Sequence, residues 1–177
     1  MHSGILAMQA LGLVWGNLDP VAQNLEEIRT EIPAPTQYGA CLLLDQWKTR
    51  EQRGGFVVGR DVPSRDLASI LRNIALYEPV DEARDFRVRL AGSAFMRRFG
   101  RDITGLTLSK IYAATDFEEK RAALSGIIHS KKPVIVDVKI LRNTRTVMRF
   151  EGLGLRVLSP DRKDVWVMGG LFYSDWL

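Results

Sequence analysis

The sequence has little of what metal-binding, disulfide-bonded or membrane-spanning proteins need. It contains one cysteine, Cys41, and two histidines among 177 residues. A single cysteine excludes an internal disulfide and suits a reducing cytoplasm, and with His2 and His129 it has no spacing that would hold zinc. The apolar segment from Gly4 to Gly16 is too short to cross a bilayer as a helix and lacks the basic start of a signal peptide. We therefore expect a cytoplasmic protein without a metal site or a membrane span.

The excess of positive charge is small. The sequence has 25 lysines and arginines against 21 aspartates and glutamates, a net charge of +4. Neither a recognition helix nor a repeat of basic and aromatic residues is evident, so we do not expect nucleic-acid binding. Hydrophobic residues make up 46% and charged residues 26%, which is typical of a soluble globular protein.

The most informative stretch is residues 86–108, FRVRLAGSAFMRRFGRDITGLTL. Phe86, Val88 and Leu90 alternate with polar or small residues, which predicts a half-buried strand. A short apolar helical segment follows and ends at Gly100, where glycine suits a left-handed helix C-cap.

The other elements follow from periodicity and turn signals. Apolar residues at helical spacing predict helices, and alternating residues separated by turns predict three antiparallel strands that close the chain. The predicted helices lie at about 20–32, 37–52, 67–76 and 117–130, a charged connection at 78–85, and the closing strands at about 134–141, 146–158 and 165–173.

The first predicted helix stands apart from the compact part of the chain. Asp19-Pro20 makes a good helix start, with the aspartate as cap and the proline in the first turn. Such a helix packs on the flank of a domain or forms a dimer contact. The dimer-contact candidates are its apolar residues Val21, Leu25, Ile28 and Ile32.

A catalytic site is not evident in the sequence. A nucleophile–base pair would need a serine or Cys41 with His129, and no third group is placed to orient the base. Glu118 and Glu119 are consecutive on a predicted helix, so they point in different directions. We therefore expect the protein not to be an enzyme.

Four short motifs, taken in order, resemble a known family. Trp47, the Pro63-Ser64-Arg65 turn, FRVRLAG at 86–92 and GRDITGLTL at 100–108 are similar to the pattern of the PAS-like domain family of small, often stand-alone bacterial proteins. The resemblance covers roughly residues 40–175. The turn after Pro63-Ser64-Arg65 is shorter than in most members.

The resemblance implies an α+β fold, a five-stranded antiparallel sheet with helices on one face. We accordingly divide the chain into an N-terminal helical extension at 1–35 and a PAS-like domain at 36–177. The implied space between the sheet and the helices would hold a small ligand or would simply be filled as a core, and the sequence leaves both open. The pocket candidates that would border this space are Phe95, Tyr112, Phe117, Leu124, Val136, Phe150 and Met168.

The same resemblance bears on cofactors, whose identity stays unknown. Photoactive flavin-binding members use a cysteine in an Asn-Cys-Arg-Phe motif within the helices, whereas Cys41 lies far upstream. Haem-binding members use a histidine well inside the helix before the closing strands, whereas His129 lies at the extreme end of that helix. The sequence therefore argues against a photoactive flavin and against histidine-ligated haem.

The resemblance implies a non-catalytic sensory or regulatory module in signal transduction. Such a module would bind a small ligand, a partner protein or both, and the alternative is a pure protein-interaction or dimerisation scaffold with no ligand. We expect a homodimer and an unidentified signalling partner protein, with a small-molecule ligand as a further possibility.

Overall fold

The computed structural model describes residues 25–174, and within them one antiparallel sheet of six strands organises the chain. The strand order across the sheet is β1-β4-β5-β6-β2-β3. The strands are β1 (Leu25–Glu31), β2 (Ile74–Val80), β3 (Asp85–Ala91), β4 (Val134–Arg142), β5 (Arg145–Leu158) and β6 (Val165–Tyr173).

Within residues 25–174, four α-helices and one 3₁₀ helix cover the sheet. They are α1 (Tyr38–Glu51), the 3₁₀ helix (Arg65–Asn73), α2 (Ser93–Phe99), α3 (Leu108–Ile111) and α4 (Ala114–His129). Gly100 ends α2 in the left-handed region, at φ 67°, as the sequence predicts. An aliphatic side chain at that φ would be strained, which is why glycine follows the last turn.

The three closing strands form the predicted antiparallel meander. Alternate residues of β4, such as Val136 and Val138, turn towards one face, and Ile135 turns towards the other. β5 pairs with β4 on one side and with β6 on the other. The predicted α+β fold with an antiparallel sheet is confirmed, with six strands where five were expected.

Helices lie on both faces of the sheet, so the expectation that they gather on one face is wrong. The first face is covered by α2, α3 and α4, whose Phe95, Ile111 and Ile127 pack with strand residues such as Phe150. The second face is covered by α1 and the 3₁₀ helix, and here Trp47 and its neighbours form a separate core cluster. The central strands are apolar on both sides, and both sides therefore need cover.

The helix predicted at 20–32 is wrong where the structure describes it. Residues 25–31 form β1, an edge strand that pairs with β4 from Leu25 opposite Arg142 to Glu31 opposite Val136. The helical spacing of apolar residues was real, but the free edge of β4 offers a full ladder of backbone hydrogen bonds. The proposed start at Asp19-Pro20 lies outside the described residues.

A second correction concerns residues 67–85. The apolar residues Leu67 and Ile70 do form a helical stripe, but it belongs to the 3₁₀ helix, which ends at Asn73. Ile74 begins β2, which was predicted as the end of a helix and a charged connection. β2 pairs with β6 on one side and with β3 on the other, and this pairing makes residues 74–80 a strand. The segment itself is too short for its sequence to show the two-residue alternation of a strand.

The loop between α1 and the 3₁₀ helix is held by a buried carboxylate, that of Asp61. Its Oδ2 accepts hydrogen bonds from the Val57 N–H at 2.7 Å and from Arg60 Nη2 at 2.6 Å. Burial alone would raise the pKa of Asp61, but these hydrogen bonds and the charges of Arg60 and Arg50 outweigh it and lower that pKa. The ionised form therefore stabilises the fold.

Replacing Asp61 by asparagine is expected to lower the free energy of unfolding by about 2 kcal/mol at pH 7, because the Arg60 guanidinium loses its buried anion. Since the folded pKa is depressed, the wild-type advantage is complete above the ordinary carboxyl pKa and shrinks as pH falls through the folded value. Urea unfolding at pH 7 and at about pH 3 measures this. The exposed Asp45→Asn variant is the control, and an equal effect at both pH values would contradict the expectation.

Candidate functional site

The candidate site lies between the first face of the sheet and helices α2 to α4. Six of the seven pocket candidates pack in the core cluster on this face, and the seventh does not. Met168 packs in the cluster on the second face, because β6 alternates sides and Val167 takes the first. The six on the first face are Phe95, Tyr112, Phe117, Leu124, Val136 and Phe150.

A charged side chain from α2 is enclosed among these apolar groups. The Arg98 side chain is 0% exposed. Its guanidinium carbon lies 5.7 Å from the centre of the Phe150 ring, and Nη2 lies 3.5 Å from Oε2 of Glu27. Burial lowers the pKa of Arg98 and the Glu27 carboxylate opposes that shift, so the guanidinium stays charged.

The acidic partner of Arg98 comes from the edge strand. Glu27 and Arg29 sit opposite Ile140 and Val138 of β4. Residues directly opposite in an antiparallel pair share a face, so both side chains point towards the helices. Arg29 is paired with Glu27, and its Nη1 lies 3.7 Å from Oε1 of Glu119 on α4. The edge strand thus carries an ion-pair network into the site.

A second buried cation comes from α4. The Lys120 side chain is 4% exposed, with Nζ 3.2 Å from Oε1 of Glu119 and 5.9 Å from the centre of the Tyr112 ring. Burial and the charge of Arg29 lower the pKa of Lys120, and Glu119 acts in the opposite direction. We call Glu27, Arg29, Arg98, Tyr112, Glu119 and Lys120 the charged chamber.

Tyrosine hydroxyls complete this region. Burial raises the pKa of Tyr77, Tyr112 and Tyr173, so all three are neutral at physiological pH. A neutral phenol donates and accepts a hydrogen bond. The three hydroxyls therefore add neutral hydrogen-bonding groups to the guanidinium and ammonium groups on this face of the sheet.

Sequence reasoning named six apolar residues that pack together on this face and missed the charged side chains among them. A signal was present in the helices. Arg98 lies three residues after Phe95, and Lys120 lies between Phe117 and Leu124 at spacings of three and four. A charge on an apolar helical stripe is turned towards the core. Glu27 gave no such signal, because its orientation depends on the pairing of β1 with β4.

Comparison with known families assigns this architecture. The family model described as PAS domain matches residues 38–172. The chain belongs to the PAS domain family. In this PAS domain the matched segment runs from α1 to β6, and β1 precedes it as an added edge strand. No curated protein and no solved structure matches the chain.

The residues considered for cofactors lie apart from the charged chamber. Cys41 is on α1, over the second face, with its thiol donating to the Pro35 carbonyl at 3.3 Å. His129 is the last residue of α4, and its Nδ1 lies 2.7 Å from the Ser125 carbonyl oxygen at the surface. Within residues 25–174, groups of three metal-binding side chains do not occur, and helices long and apolar enough to span a membrane are absent.

Proposed function

We propose that this PAS domain is a non-catalytic sensory module in signal transduction, which binds a small polar ligand in the charged chamber. The observation that carries the proposal is the enclosure of Arg98 and Lys120 between the sheet and the helices. A space meant only as a core is better filled by apolar side chains, since charges are costly to bury. A ligand that binds both cations would explain why they are retained there.

The network also suggests how binding would be transmitted. Glu27 and Arg29 connect the edge strand to Arg98 of α2 and Glu119 of α4. A ligand that engages Arg98 competes with Glu27 for the same donors. Occupancy would therefore change how firmly β1 is held, and β1 would pass that change to a signalling partner protein. We place this signalling in the cytoplasm, in keeping with the single cysteine.

Native mass spectrometry of the purified protein tests the ligand. We expect a species heavier than the bare chain by one small molecule, which denaturation releases for identification. Arg98→Met should lose this species, because the guanidinium that holds the ligand is gone. Arg84→Met removes an arginine that is 81% exposed on the β2–β3 turn and should keep it. A wild-type protein of bare mass would refute the proposal.

A second candidate function, a dimerisation scaffold, is favoured by the edge strand. β1 pairs only with β4 among the described strands, and Ile28 is 42% exposed. If two copies pair β1 antiparallel about Ile28, Glu27 of each copy faces Arg29 of the other, so the strand is complementary to itself. Of the other dimer-contact candidates, Ile32 packs against the second-face core. Val21 and the side chain of Leu25 lie outside the part of the chain that the structure describes.

Replacing Ile28 by lysine is expected to convert such a dimer to a monomer, because two ammonium groups would meet at the two-fold axis. Sedimentation velocity measures the change. Met96→Lys is the matched control, since Met96 is 41% exposed, about as much as Ile28, but belongs to α2 and not to the edge strand. A wild-type monomer, or an I28K variant that still sediments as a dimer, would exclude this interface.

A further inference from the structure

A concave surface lies next to the last turn of α1. It has a volume of about 380 Å³ and is lined by Arg50, Arg53, Arg60, Asp61 and Asp66. We call these five residues the arginine groove. It is separate from the charged chamber, because α1 and the 3₁₀ helix cover the opposite face of the sheet.

Two of its arginines are held in place by one carboxylate. Arg60 binds Asp61 through Nε at 3.1 Å and Nη2 at 2.6 Å, and its Nη2 also donates to the Gly55 carbonyl at 2.8 Å. Arg50 Nε lies 3.5 Å from the same carboxylate, with Nη2 2.7 Å from Asp66. Both guanidiniums are therefore oriented before any ligand arrives, which lowers the entropy lost on binding.

Two arginines of the groove have N–H donors that are available to a ligand. Arg60 Nη1 has no hydrogen bond within residues 25–174. The Arg53 side chain, one turn beyond Arg50, makes neither a hydrogen bond nor an ion pair in the same part of the chain. The three arginines and two aspartates carry a net charge of +1, and Asp61 is already saturated by the backbone and by Arg60.

The geometry points to the arginine groove as a binding site for a small molecule that carries a phosphate group. Guanidinium groups match phosphate oxygens through paired N–H donors, and several arginines around one space are the usual means of holding a dianion. The volume lies within the range of small-molecule pockets, about 300 to 1,000 Å³. Arg53 and Arg60 Nη1 supply the new hydrogen bonds, and Arg50 supplies charge.

Isothermal titration calorimetry with pyrophosphate tests this site. We expect saturable binding with one site per chain, weakened about tenfold by Arg53→Gln, which removes one charge-assisted contact. Asp66→Asn should tighten binding several-fold, because it removes a negative charge from the rim and frees Arg50 Nη2. Both residues are exposed, so neither change should disturb folding.

Arg72→Gln is the charge-matched control, an exposed arginine of the 3₁₀ helix that does not line the groove. It should leave pyrophosphate affinity unchanged. Absence of saturable binding, equal weakening by R53Q and R72Q, or weaker binding by D66N would overturn the inference. These results do not depend on ligand binding in the charged chamber, because R53Q changes none of the residues of that chamber.

Discussion

Replacing Glu27 by methionine is expected to lower the free energy of unfolding by about 3 kcal/mol, because the buried Arg98 guanidinium then loses a carboxylate partner. Arg98 is fully enclosed and cannot recover the loss by turning to water. The effect is larger than that of an ordinary surface pair, for which two exposed charges gain little. Urea unfolding followed by circular dichroism measures it.

A double-mutant cycle isolates the pair. Arg98→Met in the Glu27→Met background should restore part of the lost stability, because no unpaired charge remains among the apolar groups. Glu26→Met is the control on the same strand, since Glu26 is exposed on the opposite face of β1. Additive effects of the two substitutions would show that Glu27 and Arg98 are not coupled and would remove the proposed link between β1 and α2.

Replacing Gly92 by alanine is expected to lower the free energy of unfolding by about 3 kcal/mol, because an added Cβ meets backbone that cannot rotate away. That Cβ would lie 2.3 Å from the carbonyl oxygen of Arg72. Gly92 also donates its N–H to the Ile74 carbonyl at 2.9 Å, so α2 cannot shift without loosening the start of β2. Thermal and urea unfolding both report the loss.

The same substitution at Gly126 should act in the opposite direction. Gly126 lies inside α4, and a Cβ there has no atom within 4 Å. Alanine in a helix interior is more favourable than glycine by about 1 kcal/mol, so Gly126→Ala should stabilise the protein. A Gly92→Ala protein as stable as the wild type would mean that the 3₁₀ helix and α2 are not in the tight contact described.

Several elements were predictable because their information is local. The closing strands β4, β5 and β6 are separated by short turns, and β4 also alternates between apolar and polar residues, so the turn residues and the strand pattern lead to the same prediction. Helix α1 was predicted almost to the residue, and Gly100 ends α2 as a left-handed cap. The motif glycine Gly92 was visible in the sequence, but its reason, the Arg72 carbonyl against it, was not.

By itself, then, the sequence determined the PAS domain, which the family match supports, together with the antiparallel meander and the helices α1 and α4. Tertiary structure alone decided that residues 25–31 form a strand, that helices cover both faces, and that Glu27 meets Arg98. The reason is physical. Hydrogen bonds to the free edge of β4 outweigh the helical pattern of β1, and the charged chamber joins groups far apart in the chain, which local sequence cannot pair.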